Sequence, residues 1–257
     1  MIAIALALVS TEAIKLQRTA ALWLAIGAPV LAVLLELIAL FDRTYPPSGD
    51  AGTVWGILLG GGYTSWLGFC LPILISFEAA SLANLEHSGK HWKQLFAFPI
   101  PRWSVYTTKM LFCGLLAWVS ILIGILGFTG DVLIYSGAHG LNLASAIPWP
   151  QMLTMVGKAY MASCFLIVIQ TWLSTKFSGV ALPVGIGFAA LAVGLVLLPL
   201  GEGVLSSWYP WTLPLRVLQT NPRDLHNTML PAVFGWVGAL VIGPLACWDL
   251  ARRQELG

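Results

Sequence analysis

One polar segment, residues 84–109, holds the largest group of side chains that could bind a partner in this otherwise apolar chain. It reads NLEHSGKHWKQLFAFPIPRWSVYTTK and contains four of the 13 lysine and arginine residues. Its cations are interleaved with aromatic and aliphatic side chains, a combination suited to docking into a groove on another protein. The chemistry expected of this segment is therefore non-covalent contact.

Within this segment, residues 86–98 can form a short amphipathic helix that Pro99 and Pro101 end. Two other interpretations remain open: a solvated loop whose cations only fix the topology, or a site for anionic lipid headgroups. The two faces of the helix would carry Leu85, Trp92, Leu95 and Phe96 on one side and His87, Lys90, Lys93 and Gln94 on the other.

Patterns for catalysis or cofactor binding are missing from the sequence. The pair Gly89–Lys90 is followed by His91 and lacks the upstream glycine of G-x-x-x-x-G-K-[ST], so the chain cannot bind ATP through a P-loop. We expect no catalytic residues, no metal site and no cofactor in this chain. The histidines are scattered, and the cysteines lie unpaired in apolar runs as core packers: His87, His91, His139 and His226; Cys70, Cys113, Cys164 and Cys247.

Composition places the chain in a membrane. Hydrophobic residues make up 58% of it and charged residues 9%, which is far from the soluble globular average. The length allows about six helical spans of roughly 20 residues but no further soluble domain of ordinary size, so any enzymatic activity would belong to another polypeptide. The net charge of +2 gives no reason to expect a nucleic-acid partner.

Six apolar runs predict an all-α integral membrane protein with one transmembrane domain over residues 1–257. Open strands cannot cross lipid, and the runs lack the alternation of barrel strands. The predicted spans are residues 19–41, 55–77, 110–130, 152–175, 177–201 and 229–248.

Lysine and arginine positions predict that both termini are cytoplasmic, because basic residues accumulate in cytoplasmic loops. The inverted topology would put the smaller group of cations inside. The predicted inner group is Lys15, Arg18, Lys90, Lys93, Arg102, Lys109, Lys176, Arg252 and Arg253, against Arg43, Lys158, Arg216 and Arg223 outside.

Residues 1–18 predict an interfacial helix at the inner surface. A cleaved signal peptide is the alternative, although no basic residue precedes the apolar run. In the interfacial helix Leu6, Val9, Ile14 and Leu16 would face lipid, and Glu12, Lys15 and Arg18 would face water or headgroups.

Residues 202–228, between the fifth and sixth spans, are too apolar for free solvent and too rich in proline for a full crossing. A re-entrant hairpin dipping into the outer leaflet and an aromatic belt at the interface both fit. Trp208 and Trp211 are candidates for an outer gate.

Three charges lie in or near the spans, where burial is costly and often functional. Glu36 could reach an interface or line a translocation path. Glu78 is expected to link the second span to residues 84–104, and Lys158 is expected to reach the interface along its stem. The G-x-x-x-G pair Gly56 and Gly60, extended by Gly61 and Gly62, predicts close helix packing, and a contact with a second chain would be one instance of it.

The polar segment, placed between the second and third of six spans, resembles the signature of ABC-2 type transporter permeases. The sequence GKHWKQLFAFPIPR and the length of the chain are most similar to those of the small permeases of lantibiotic-immunity and bacitracin-resistance exporters. The resemblance implies an elbow helix at residues 1–18 and a cytosolic coupling helix within residues 84–104. By match to that motif, it assigns ATPase coupling to Glu86, Gly89, Trp92, Leu95, Pro99 and Arg102. Lys90 and Lys93 belong to a basic cluster that departs from the family pattern, and we add them as candidate coupling residues.

The resemblance also implies a function. The chain would be the permease subunit of an exporter in the bacterial cytoplasmic membrane, moving an antimicrobial peptide, another antibiotic or a lipid. It would be no enzyme itself. Its partners would be an ABC ATP-binding subunit, a second permease chain and membrane lipid, and the ATP-binding subunit would hold ATP and Mg²⁺. The alternative is a non-transporting sensor or scaffold that docks a cytosolic partner through the same segment.

Overall fold

A computed structural model describes residues 12–17, 19–43, 47–88, 102–198, 208–219 and 225–252. All of the regular secondary structure in these residues is helical. Residues 12–16 form a helical turn before the first long helix. The remaining elements are α1 (Ala20–Phe41), α2 (Ala51–Ser65), a π turn (Trp66–Cys70), α3 (Leu71–Ser88), α4 (Arg102–Ala138), a 3₁₀ turn (Ala144–Ala146), α5 (Trp149–Lys176), α6 (Ala181–Leu197), α7 (Leu213–Gln219) and α8 (Leu225–Arg252).

Five of these helices are long and apolar enough to cross a membrane. They lie at Ala20–Phe41, Ala51–Leu85, Trp103–Ala138, Trp149–Lys176 and Met229–Leu250. The chain is therefore a multi-pass membrane protein. In the region of the predicted fifth span, α6 is a shorter apolar helix of 17 residues. Because residues 199–201 lie outside the described part of the chain, a sixth span stays a prediction.

Helices α1 and α2 begin on opposite sides of the bundle. Thr19 precedes α1 on one side, the Thr19 side, and Asp50 precedes α2 on the other, the Asp50 side. The Asp50 carboxylate caps α2 by accepting hydrogen bonds from the backbone N–H groups of Gly52 and Thr53, at 3.2 and 3.4 Å. Hydrogen bonds from the side chain and backbone of Thr53 hold the pKa of Asp50 below its usual value.

One continuous helix, α2 through α3, occupies the centre of the fold and is the most deeply buried of the spans. The π turn ends two residues before Pro72. Proline lacks an N–H donor and crowds the preceding turn, and a π turn is a common way to absorb that disruption. Trp55 and Trp66 are both nearly fully buried against the neighbouring helices.

The outermost helices, α1 and α8, expose large apolar side chains. Trp23 and Leu35 of α1, and Trp236 and Leu240 of α8, are each about half exposed or more. In a bilayer such surfaces contact lipid tails. The bundle therefore has a packed interior around α2–α3 and an apolar exterior.

Candidate functional site

A buried lysine ties three segments together on the Thr19 side of the bundle. The ammonium group of Lys109 in α4 donates to the carbonyl of Leu82 in α3 at 2.9 Å, and lies 3.5 Å from a carboxylate oxygen of Glu12. Lys109 is 1% exposed and Glu12 5%. A buried ion pair must be well formed to offset the cost of removing both charges from water. This pair therefore fixes the N-terminal turn to the base of the α3–α4 hairpin.

The position of Glu12 corrects the prediction that it faces water or headgroups. Its second carboxylate oxygen lies 3.4 Å from the ammonium of Lys15, and Leu16, predicted to face lipid, is buried in the core. Ile14 is 62% exposed, as expected for a lipid-facing residue. The amphipathic pattern identified two faces but could not show that the polar one packs against α4.

Beyond this ion pair, α3 and α4 continue as two arms of a hairpin. From Leu82 to Ser88, at about 1.5 Å per residue, α3 extends about 9 Å further, and α4 begins at Arg102 on the same side. Glu86 belongs to the continuing helix α3, so the predicted short helix does not begin there. The other predicted coupling residues lie outside the described residues: Gly89, Lys90, Trp92, Lys93, Leu95 and Pro99.

Glu78 lies one helical turn from Leu82, deeper in the bundle. It is fully buried, and neither of its carboxyl oxygens has a hydrogen-bond partner among the described residues. Its carboxyl group lies close enough to the Cys113 thiol of α4 for the two to interact electrostatically. The predicted structural link between Glu78 and residues 84–104 stays a prediction, since most of that segment is outside the described residues.

Polar contacts connect α5 to both α3 and α4. The amide of Gln170 donates to the hydroxyl of Ser76 in α3, and the Tyr106 hydroxyl of α4 donates to the Val168 carbonyl at 3.0 Å. Gly187 of α6 lies against both Gln170 and Ser76, where a Cβ atom would collide with them. The two helices that form the hairpin therefore both contact α5, and α3 also contacts α6.

A second group of acidic side chains lies toward the Asp50 side. Glu36 of α1 packs against Gly61 of α2, and its carboxylate is close enough to Asp131 of α4 for mutual repulsion and to Arg43 for attraction. Asp131 is buried, and its Oδ2 has no hydrogen-bond partner among the described residues. Glu36 is only partly buried, and its two predicted roles, at an interface or in a translocation path, both stay predictions.

Asp131 was not among the predicted site residues. The predicted third span ended at residue 130, whereas α4 continues to Ala138. A signal was available in the sequence, because the run after Asp131, VLIYSGA, is still largely apolar and carries no charge.

The predicted gate tryptophans lie in the chain that precedes α8. Trp208 is 53% exposed and stacks on Phe234 of α8 at 4.2 Å between ring centres, whereas Trp211 is buried. Neighbouring Tyr209 donates a 2.7 Å hydrogen bond to the Ala190 carbonyl of α6, and burial raises its pKa. Leu215 of α7 packs against Gly68 in the π turn. The structure thus places Trp208 against α8 and Trp211 in the core.

Lys158 is partly buried in α5.

Among the described residues, no group of three or more His, Cys, Asp and Glu side chains is arranged to hold a metal ion. The arrangement offers no catalytic constellation in this part of the chain. It offers instead a hairpin anchored at its base and packed against the helices of the bundle.

Comparison with known protein families gave one match: a family described as "ABC-2 family transporter protein" matches residues 8–194, which is more than half of the chain. No curated protein matched the sequence.

Proposed function

Since the chain belongs to the ABC-2 family of transporter proteins, we propose that it is the permease subunit of an ATP-driven exporter. Permeases of this family are membrane components without ATPase motifs and normally pair with an ABC ATP-binding subunit. Here that subunit would hold ATP and Mg²⁺ and would dock at the tip of the α3–α4 hairpin, through Trp92, Arg102 and the other predicted coupling residues.

The observation that carries the proposal is the anchored hairpin. Its base is held by Lys109 between Leu82 and Glu12. Tyr106 in the α4 arm contacts α5, and so does Ser76 of α3, which lies deeper in the bundle than the base. Reversing a strongly biased inward/outward equilibrium takes about 5.5 kcal/mol of differential binding. If the base of the hairpin deformed when the ATPase moved, that free energy would not reach the other helices. A rigid base is therefore suited to transmitting movement from an ATPase to the spans.

The finer architecture that we propose has six spans, with α6 and the residues after it as the fifth. A re-entrant hairpin before α8 is supported by the contact of Leu215 with Gly68. At about 1.5 Å per residue, Gly68 lies about 10 Å further along α2–α3 than Gly61, the neighbour of Glu36 near the Asp50 side. A segment from the outer surface must dip well into the bundle to make this contact.

We place the Thr19 side, with both termini, in the cytoplasm of a bacterium and the Asp50 side outside its cytoplasmic membrane. The substrate would be an amphipathic antimicrobial peptide such as a lantibiotic, another antibiotic, or a lipid. A second permease chain, identical or a sister subunit, would complete the pathway. Gly56 and Gly60 favour a chain contact on α2, because a Cβ at either would meet no atom within 4 Å.

The experiment that tests the proposal is purification of the tagged chain from its native membranes in a gentle detergent, followed by native mass spectrometry. We expect an ABC ATP-binding subunit at one copy per permease, lost in Trp92→Ala. The matched control is Trp23→Ala, since Trp23 lies on the outer face of α1 and is 72% exposed. Repeated recovery of the folded chain without an ATPase would contradict the proposal and favour the sensor or scaffold.

A further inference from the structure

Helices α5 and α8 are neighbours that run in the same direction. Gly235 of α8 lies against the backbone of Ala162 in α5. Further along both helices, the indole N–H of Trp172 in α5 donates to the carboxylate of Asp249 in α8 at 3.0 Å. Since the residue numbers rise together from the first contact to the second, the two helices are parallel and end next to each other.

Both helices end on the Thr19 side of the bundle. Helix α4 begins on that side at Arg102, and Tyr106, one turn later, contacts Val168 in α5. Two turns after Val168, α5 ends at Lys176, and its parallel neighbour α8 ends at Arg252. Each helix therefore has a cation at its end on this side.

The two cations each lie over a tryptophan ring of their own helix. The Lys176 ammonium is 5.0 Å from the centre of the Trp172 ring, and the guanidinium carbon of Arg252 is 3.8 Å from the centre of the Trp248 ring. Both cations are exposed. Lys176 and Arg252 follow Trp172 and Asp249 by about one turn, roughly 5 Å along each helix. Two exposed cations thus lie at a similar depth on adjacent helices.

An exposed apolar stripe leads to Arg252 along the same face of α8. Val241, Leu245 and Trp248 precede Arg252 by 11, 7 and 4 residues, which is the spacing of one helical face. Their side chains are 56, 54 and 54% exposed. At about 1.5 Å per residue the stripe is roughly 16 Å long, close to half of the ~30 Å hydrocarbon core of a bilayer. The stripe therefore matches the apolar part of one leaflet, with a cation at its end.

The charge at these helix ends is positive. The last turns of α5 and α8 hold two cations and one carboxylate, that of Asp249. The hydrogen bond from Trp172 directs an oxygen of this carboxylate into the contact between the helices. Cations also balance the negative end of a helix dipole, but that role requires neither the supporting tryptophans nor the exposed stripe.

We propose that the ends of α5 and α8 together bind one anionic phospholipid from the leaflet on the Thr19 side. Its phosphate group contacts Lys176 and Arg252, and one acyl chain lies along Val241, Leu245 and Trp248. Arginine offers a planar fork of donors that matches phosphate, and lysine adds a point charge. Basic sites between transmembrane helices bind acidic lipid headgroups, and tryptophan is enriched at the level of the headgroups.

The site should prefer an acidic lipid to a zwitterionic one. Phosphatidylcholine carries the same phosphate group, but its own quaternary ammonium offsets the attraction to two cations. Because the bound lipid contacts both helix ends, it should also stabilise the folded chain according to its affinity and concentration.

The test is native mass spectrometry of the full chain in a gentle detergent, titrated with dioleoyl phosphatidylglycerol or dioleoyl phosphatidylcholine. The two lipids have identical acyl chains, and we expect phosphatidylglycerol to bind at least tenfold more tightly. Lys176→Gln and Arg252→Gln should each weaken its binding about fivefold, the factor contributed by one cation near an acidic membrane surface. Lys158→Gln, the same change at the other end of α5, is the matched control and should leave binding unchanged.

Three outcomes would overturn the proposal. The first is equal affinity of the wild type for the two lipids, a comparison that needs no variant to fold. The second is a loss in Lys158→Gln as large as that in Lys176→Gln and Arg252→Gln, which would indicate a general effect of charge. The third is displacement of phosphatidylglycerol by an equal concentration of inorganic phosphate, which would indicate a site for the free ion. The measurement needs no ATPase, so its result is independent of the co-purification experiment.

Discussion

Gly235 of α8 lies directly against the backbone of Ala162 in α5: a Cβ atom at Gly235 would be 2.6 Å from the Ala162 carbonyl oxygen. No side-chain rotation can relieve a collision with backbone, so the helices would have to separate. We expect Gly235→Ala to lower the free energy of unfolding by about 1–3 kcal/mol. Thermal unfolding in detergent would measure the loss.

Gly243→Ala in the same helix is the matched control, because a Cβ there meets no atom within 4 Å. Alanine has the higher helix propensity, so this variant should match the wild type or gain up to about 1 kcal/mol. Equal stability of the two variants would show that α5 and α8 do not approach each other as closely as described.

Removal of the Lys109 side chain should be the most damaging single change on the Thr19 side. Lys109→Met leaves the buried Glu12 without this cation, and breaking a buried pair from one side costs about 3–5 kcal/mol. The double variant Glu12→Gln/Lys109→Met should lose less than the sum of the two single changes. Lys15→Met, which removes the more exposed neighbour of Glu12, should cost less than about 1 kcal/mol. Additive losses in the thermal unfolding cycle would contradict the pairing.

The fold class could be predicted from the sequence because the length of an uninterrupted apolar run is enough to distinguish a membrane span from a loop. The apolar runs located α1, α4, α5 and α8, but not the ends of these helices. Charge-free runs predict the part of a helix within lipid, whereas α3 and α4 continue past it to Ser88 and Arg102. The helical arms of the hairpin and the place of Asp131 therefore required the structure.

The environment of individual charged residues was harder to predict. Glu12 has the spacing of a water-facing residue, and Lys109 is one of the cations predicted on the inner side, yet the two form an ion pair inside the protein. A pattern of apolar and polar residues within one segment shows which residues share a face. It holds no information on the segment that this face packs against, which here is 97 positions away in the chain.

A hydroxyl group between α1 and α4 offers a test of interhelical hydrogen bonding. Ser120 of α4 donates to the Ala25 carbonyl of α1 at 2.7 Å, whereas Ser163 donates to Ala159 of its own helix at the same distance. Interhelical hydrogen bonds in membrane proteins average about 0.6 kcal/mol. Ser120→Ala should therefore lower stability by about that amount, and Ser163→Ala by less. A larger loss for Ser163→Ala, measured by thermal unfolding, would contradict this assignment.

Acidification should remove the cap of α2. The pKa of Asp50 is lower in the folded protein than in the unfolded chain, because the ionised form accepts hydrogen bonds from Thr53. The stabilisation is therefore fully present above the unfolded pKa, which is about 3.9, and is lost as the pH falls through the lower folded pKa. Asp50→Asn retains a capping oxygen without the charge and should abolish this part of the pH dependence. A wild-type melting temperature that falls no more steeply than that of Asp50→Asn in this range would exclude the contribution.

Coupling between ATP hydrolysis and transport should depend on the tip of the hairpin. Arg102 begins α4, so a force applied there is transmitted along α4 to Lys109 and to the contact of Tyr106 with α5. With the partner ATPase reconstituted in vesicles, Arg102→Ala should hydrolyse ATP but lose most substrate movement. Trp92→Ala, which is expected not to retain the ATPase, should lose substrate movement as well, while membrane insertion stays normal in both. Trp23→Ala, on the lipid-facing surface of α1, should keep both activities. Fully coupled transport in both tip variants would show that the ATPase acts on the permease elsewhere, and the rigid base formed by Lys109 would then have only a structural role.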